Sequence, residues 1–250
     1  MKTIVVLPTY NERENIGEVL GRILALGGDW NVLVVDDASP DGTGALADEW
    51  ASRDPRVHVL HRAGKMGLGT AYRDGLARAL ETGCEFVCTM DCDLSHDPSV
   101  LPRLRDLARV HGAAHGSRYV EGGRTEGWTA ARRLNSALAN WLTRLVLCVP
   151  VRDCTSGFRC YRGDVLRSLE PATLTARGYA VLEELLYRSK RVGVVPAEVP
   201  ITFSNRTRGR SKISPAEVLG ALALLLRLRL SGWRPARASE TVRGDTTHAR

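Results

Sequence analysis

The chain has 250 residues, 44% hydrophobic and 25% charged, with 35 Lys and Arg against 28 Asp and Glu. These are the proportions of a soluble globular protein with room for one large α/β domain or two small ones. A formal charge of +7 calls for an anionic partner, whether phosphate, nucleic acid or membrane surface, and the longest apolar run, 218–226, is too short for a membrane span.

Thr3-Ile4-Val5-Val6-Leu7 is apolar and β-branched and reads as a first strand, stopped at Pro8-Thr9-Tyr10-Asn11-Glu12. A helix follows with Ile16, Val19, Leu20, Ile23 and Leu24 on one face, closed by Gly27-Gly28. Val32-Leu33-Val34-Val35 predicts a second strand ending at Asp36-Asp37, and the turn Ser39-Pro40-Asp41-Gly42 leads to a helix carrying Leu46 and Trp50. Val57-His58-Val59-Leu60 predicts a third strand. A helix over about 69–81 precedes a fourth strand, Phe86-Val87-Cys88-Thr89. Near-continuous apolar strands alternating with helices argue for a parallel sheet covered on both faces. Ligands bind beyond the carboxyl ends of such strands, where Glu12, Asp36, Asp37, Asp91 and Asp93 gather.

The second half is less regular. Gly116-Ser117-Arg118-Tyr119 follows a short fifth strand, 121–128 is loop-like, and a helix over about 130–147 carries Leu134, Leu138, Trp141, Leu142 and Leu145. Residues 192–203, interrupted by prolines, suit an edge strand or surface hairpin. Ser214-Pro215-Ala216-Glu217 is a helix start with a capping box. The Leu/Ala/Val-rich stretch after it, flanked by Arg227, Arg229, Arg234 and Trp233, reads as an interfacial helix over 214–233 or as an ordinary buried one. The polar tail, 234–250, is expected to be disordered.

Asp91-Cys92-Asp93 places two carboxylates on one face just past a buried strand. Like charges that close repel unless a cation sits between them. A hard divalent ion, Mg²⁺ or Mn²⁺, shared with a substrate phosphate is one reading, and an acidic turn is the other. His96, in the same polar loop, reads as a surface histidine rather than a catalytic base. The bland reading of Asp153 and Arg159 is that they pair with one another and brace a loop, and one of Glu183 and Glu184 is expected to face solvent. Cys84, Cys88, Cys92, Cys148, Cys154 and Cys160 include no C-x-x-C and no neighbouring His pair, which argues against zinc and for free thiols in a reducing cytoplasm. A nucleic-acid-binding module would show a basic stripe with interleaved aromatics, whereas here acids line the sheet edge.

With Pro8-Thr9-Tyr10-Asn11-Glu12, Val35-Asp36-Asp37 and Asp91-Cys92-Asp93 ending successive strands, the chain resembles the GT-A fold of glycosyltransferase family 2. Gly116-Ser117-Arg118-Tyr119, the stretch from Asp153 to Arg159 and the Arg206, Gly209, Ser211, Lys212 pattern resemble the dolichol-phosphate (polyprenol-phosphate) mannose synthases of that family. The resemblance implies a single Rossmann-like domain over 1–213, with a nucleotide and metal half to about 117 and an acceptor half from about 118. It implies inverting transfer of mannose from GDP-mannose to a polyprenyl or dolichyl phosphate.

By the same resemblance, Pro8, Tyr10, Glu12, Val35 and Asp37 hold the guanosine end. Asp91 and Asp93, with the Cys92 backbone beside them, carry Mg²⁺ or Mn²⁺. Arg118, Arg206 and Lys212 hold phosphates, and Arg132 and Ser136 face the acceptor phosphate. Asp91, Asp93 and Arg118 form the catalytic set. Ser95, standing where some relatives have a Gln ligand, is the third candidate on the metal, and Asn205 replaces a common acidic residue before Arg206. The chain ends soon after Lys212, without the membrane-spanning helices of some relatives. Peripheral contact at the cytoplasmic face, with or without a separate membrane-anchoring partner, is therefore expected. A family-2 enzyme using another donor, such as UDP-glucose, or a soluble acceptor is the alternative.

Overall fold

A computed structural model describes residues 2–204, 225–230 and 232–235. Four β-strands, β1 (Thr3–Thr9), β2 (Trp30–Asp36), β3 (Val57–His61) and β4 (Phe86–Thr89), alternate with helices α1 (Arg13–Leu24), α2 (Thr43–Arg53) and α3 (Leu68–Glu81). Helix α4 (Leu101–His111), β5 (Ala113–Ser117), β6 (Arg124–Thr125) and the long α5 (Ala130–Leu147) follow. The chain then forms β7 (Arg159–Arg162), α6 (Gly163–Ser168), α7 (Val181–Arg191), β8 (Ala197–Pro200) and β9 (Thr202–Phe203).

The main sheet has seven strands in the order β3-β2-β1-β4-β7-β5-β8. β1 to β4 run parallel, as their unbroken apolar composition requires, and β8 forms the edge beside β5. β7, which the sequence did not announce, runs antiparallel between β4 and β5. β6 and β9 form a separate two-stranded ribbon.

One core cluster packs α1 and α4 on one face, around Leu7, Ile16, Leu20, Val34, Met90 and Leu104. On the other face α3, α6 and α7 cover Val6, Val35, Tyr72, Val87 and Tyr161. Gly75 lets α3 lie close on the sheet: a Cβ there would meet Val6 and Val35 at 2.7 and 2.8 Å. Val35 is therefore a core residue, fully buried, and its side chain does not line the crevice.

α5 is turned the other way from an ordinary surface helix. Its buried positions are Asn140, Thr143 and Leu147, while Leu134, Leu138, Trp141 and Leu145 are 54–69% exposed. Asn140 explains the inversion: its Oδ1 accepts from Cys154 N at 2.6 Å, and its Nδ2 donates to Ser136 O at 2.9 Å. Residues 225–230 are helical, with Leu225 and Leu228 packed against Leu147, Val149 and Leu186, and Leu226 and Leu230 exposed. The rest of the proposed interfacial helix, its capping box, Arg206 and Lys212 lie outside the described residues, as does most of the tail.

Two readings of charged residues are corrected. Asp153 pairs with Arg118 rather than Arg159. Arg159 is fully buried and donates instead to the carbonyls of Cys154, Ser156 and Leu182. Neither Glu183 nor Glu184 faces solvent: both are buried. Glu184 pairs with Arg188 at 2.7 Å and accepts from the amides of Thr175 and Ala176.

Candidate active site

Beyond the carboxyl ends of β1 and β2, two loops are stitched together. Asp36 accepts from Thr9 Oγ1 at 3.0 Å and from the amide and hydroxyl of Ser39, so it is a brace between strand and turn. Asn11 sits in the left-handed region at φ 61°, a conformation Asn tolerates better than most residues. Its amide donates to Ser39 Oγ, the Glu12 amide to Thr43 Oγ1 at 2.9 Å, and the Arg13 amide to Asp41. Glu12 accepts from Asn15 Nδ2 at 2.7 Å. Tyr10 is half-buried with Lys65 Nζ 4.2 Å above its ring, so it is neither core nor bare surface.

Asp37 is buried and accepts from the Arg62 guanidinium, from Met66 N at 3.2 Å and from Gly67 N at 2.8 Å. It thus fixes the loop between β3 and α3, and Arg62 is its buried counter-ion, with side chains only 3% and 4% exposed. No sequence motif flagged Arg62.

The Met90 amide donates to Val6 O and prolongs β4, after which the acidic loop turns. Ser95 donates to Asp93 Oδ1 through both its amide, at 3.1 Å, and its hydroxyl. A hydroxyl so engaged orients Asp93 first and has only its lone pairs left for a metal. Cys92 is buried, and its thiol is pushed well above the ordinary range by burial and then by Glu12, Asp93 and Asp91. Glu12, just past β1, lies at the same sheet edge as the acidic pair past the neighbouring, parallel β4. Gly157 comes against the pair from β7's leading loop: a Cβ there would lie 3.4 Å from Asp91 Oδ1.

His96 is no surface residue. It is 3% exposed, accepts from Asp91 N at Nδ1 over 3.3 Å, and stacks on Phe158. Burial holds its imidazole below the ordinary value, against the pull of Asp91 and Asp93.

Across the crevice, Arg118 is locked by Asp153, which takes Arg118 N, Nε and Nη2 at 2.7–2.9 Å. Burial lowers the guanidinium's affinity for its proton, but the Asp153 carboxylate outweighs it and the balance is upward. Asp153 is held in turn through its amide by Glu198 Oε1. The Arg118 guanidinium lies 5.3 Å from the rings of both Trp128 and Phe203 and 5.5 Å from Tyr119. Arg132 stacks on Trp128 at 4.2 Å, and Tyr119 Oη donates to Ser136 Oγ at 2.8 Å. Arg118, Arg132 and Ser136 are therefore brought together around one aromatic frame. Trp128 and Phe203 were not singled out from the sequence; Asp153 was, but as a partner for Arg159 and not for Arg118.

Among the described residues no three His, Cys, Asp or Glu side chains gather into a self-sufficient metal cage. What the loop offers is oxygen: two carboxylates and one hydroxyl. That set suits Mg²⁺ or Mn²⁺, which commonly take one or two carboxylates and complete their shell with water and substrate phosphate. Zinc has no thiolate or imidazole set here.

A mostly parallel sheet with one antiparallel strand, acids after β4 and a basic second half defines a GT-A glycosyltransferase fold. Solved structures share it. Mannosyl-3-phosphoglycerate synthase from Rubrobacter xylanophilus superposes with a TM-score of 0.65 at 19% identity, covering 96% of this chain and 78% of that one. Glucosyl-3-phosphoglycerate synthase from Mycobacterium tuberculosis, in complex with Mn²⁺ and UDP-glucose, gives 0.64 at 21% identity, covering 92% and 79%.

The chain belongs to glycosyltransferase family 2, whose description, "Glycosyl transferase family 2", matches residues 4–169. Its similar proteins include polyprenol-phosphate mannose synthases. An undecaprenyl-phosphate mannosyltransferase from Micrococcus luteus is 41% identical over 239 residues, covering 95% of this chain and 98% of the relative. A polyprenol monophosphomannose synthase from Mycolicibacterium smegmatis is 44% identical over 224 residues, covering 88% and 84%.

Proposed function

We propose that the protein transfers mannose from GDP-mannose to a polyprenyl monophosphate, giving the β-linked polyprenyl-phosphate mannose. The observation that carries the lipid acceptor is the inverted α5. A stripe of Leu134, Leu138, Trp141 and Leu145 faces outward on the helix whose other residues, Arg132 and Ser136, border the aromatic frame of Arg118. α5 holds Arg132, Arg133 and Arg144 and no acid, which suits an anionic bilayer surface. We take the membrane contact to be peripheral; no described helix is long and apolar enough to cross a bilayer. We place this contact at the cytoplasmic face. Soluble-acceptor transfer, as the names of the solved phosphoglycerate enzymes state for them, gives such a stripe no role.

In the reaction, an acceptor phosphate oxygen forms a bond to the anomeric carbon as the bond from that carbon to the nucleoside diphosphate breaks, with inversion. The nucleophile is already anionic at neutral pH, so no strong general base is needed. Asp91 and Asp93, oriented by Ser95, would hold Mg²⁺ or Mn²⁺, which when bound neutralises charge developing on the leaving diphosphate. Glu12, Tyr10 and Asp37, with Pro8 beside them, face the nucleoside. Asp37 acts through the loop it fixes, and Val35 can contribute only its backbone. Arg118 presents Nη1, the nitrogen that Asp153 and Thr155 do not use, to a phosphate. Arg132 and Ser136 take the acceptor side, and Arg206 and Lys212 complete the phosphate-binding set. The test is incubation with Mg²⁺, a short polyprenyl phosphate and a panel of radiolabelled sugar nucleotides. Label entering the lipid from GDP-mannose alone supports the reading; label entering only from a UDP-sugar, or none entering lipid from any donor, refutes it.

A further inference from the structure

His96 is a buried imidazole that neither nucleoside binding nor phosphate binding uses. The loop that contains it is strained: Leu94 stands at φ 62°, where a non-glycine residue pays for its Cβ. Such a loop keeps one shape only if its surroundings hold it. Ser95 holds the Asp93 carboxylate, and His96 holds the Asp91 backbone, with Nδ1 accepting from the Asp91 amide at 3.3 Å. The ring has little freedom to do otherwise. It stacks on Phe158 at 4.9 Å and 22°, and meets Phe203 edge-on at 5.2 Å and 77°. Accepting at Nδ1 puts the proton on Nε2, a buried atom that meets no acceptor among the described residues, which suits a clamp and not a base. Phe203 also abuts Arg118 and Trp128 and lies three residues before Arg206.

We propose that His96 is a positioning residue: by accepting from the Asp91 amide while wedged between Phe158 and Phe203, it sets the Asp91–Asp93 loop in register with the Arg118 frame. The proposal rests on the reading that Asp91 and Asp93 hold the divalent ion. It assigns His96 no proton transfer. Its consequence is that losing the acceptor atom loosens the metal-holding loop even when ring volume is kept.

The test uses the full chain with GDP, reading free Mn²⁺ by electron paramagnetic resonance, alongside kcat and KM. H96F keeps the ring and the stacking but removes the acceptor. It should weaken Mn²⁺ binding about tenfold or more, as loss of a partner outside the ligand shell does elsewhere, and lower kcat with little change in KM for the acceptor. H96N, whose side-chain oxygen replaces Nδ1, should recover most of the Mn²⁺ affinity. If D91N weakens Mn²⁺ binding but H96F binds as wild type, the role of His96 is refuted and the metal reading stands. If D91N itself binds as wild type, the metal reading falls and takes the proposal with it. Should H96F fail to fold, H96A takes its place beside H96N: a tenfold loss in H96A with affinity near wild type in H96N supports the clamp, and equal affinity in the two variants overturns it.

Discussion

The outward stripe on α5 makes a quantitative demand. Leu138 is 54% exposed and Trp141 57% exposed. Fully burying an apolar side chain of this kind is worth about 1.5–3 kcal/mol, so a membrane covering the half still in water gains about 1 kcal/mol from each. Replacing both with Gln should therefore cost about 2 kcal/mol of membrane affinity, a fall of about thirtyfold in the partition coefficient. The assay is co-sedimentation with anionic phospholipid vesicles at physiological salt. The double variant should keep its thermal midpoint, because neither side chain serves the core. It should also keep kcat/KM on a short, water-soluble acceptor while losing activity on a long-chain acceptor in vesicles. Unchanged partitioning would refute the idea that this face meets the bilayer.

Three further outcomes follow from the geometry. Asp91→Asn should abolish transfer with little loss of stability, and excess chelator should do the same to the wild type; full turnover in chelator would end the metal reading. Asp153→Ala strips Arg118 of its buried partner and should cost about 3–5 kcal/mol in urea unfolding; a loss under about 1 kcal/mol would show that solvent replaces Asp153. Glu183 is buried, and burial pushes its carboxyl from the ordinary 4.5 up to about 7. The fold keeps this proton where the unfolded chain has released it, so the contribution is lost as pH rises from about 4.5 to about 7 and is flat above. At about 1.4 kcal/mol per pH unit the loss is about 3 kcal/mol. Glu183→Leu should remove that slope, and urea midpoints at pH 5 and pH 8 that shift equally in both proteins would contradict it.

The alternation of β1 to β4 with α1 to α3 was plain in the sequence because buried parallel strands need continuous apolar runs. The gathering of Glu12, Asp37 and Asp91 at one edge followed from it. β7 was not legible: Arg159-Cys160-Tyr161-Arg162 is short and begins with a charged residue, and only the carbonyls waiting around Arg159 make its burial tolerable. His96 looked like surface because its neighbours in sequence are polar, while Phe158 and Phe203, which bury it, are distant in the chain. The apolar period of α5 was visible, but period alone does not tell which side of a helix meets protein. Asn140 and its bond to Cys154 decide that.

Because β7 lies antiparallel between β4 and β5, the sheet has no seam near residue 117. The proposed boundary between a donor and an acceptor half there is not a boundary between folding units. A fragment ending at Ser117 would carry β5 without either of the strands it pairs with, and β4 with one edge bare. Such a piece exposes unpaired backbone on a hydrophobic strand, an invitation to aggregate. The strands on either side of residue 117 are thus one indivisible scaffold, and any fragment of the fold must keep β4, β7 and β5 together.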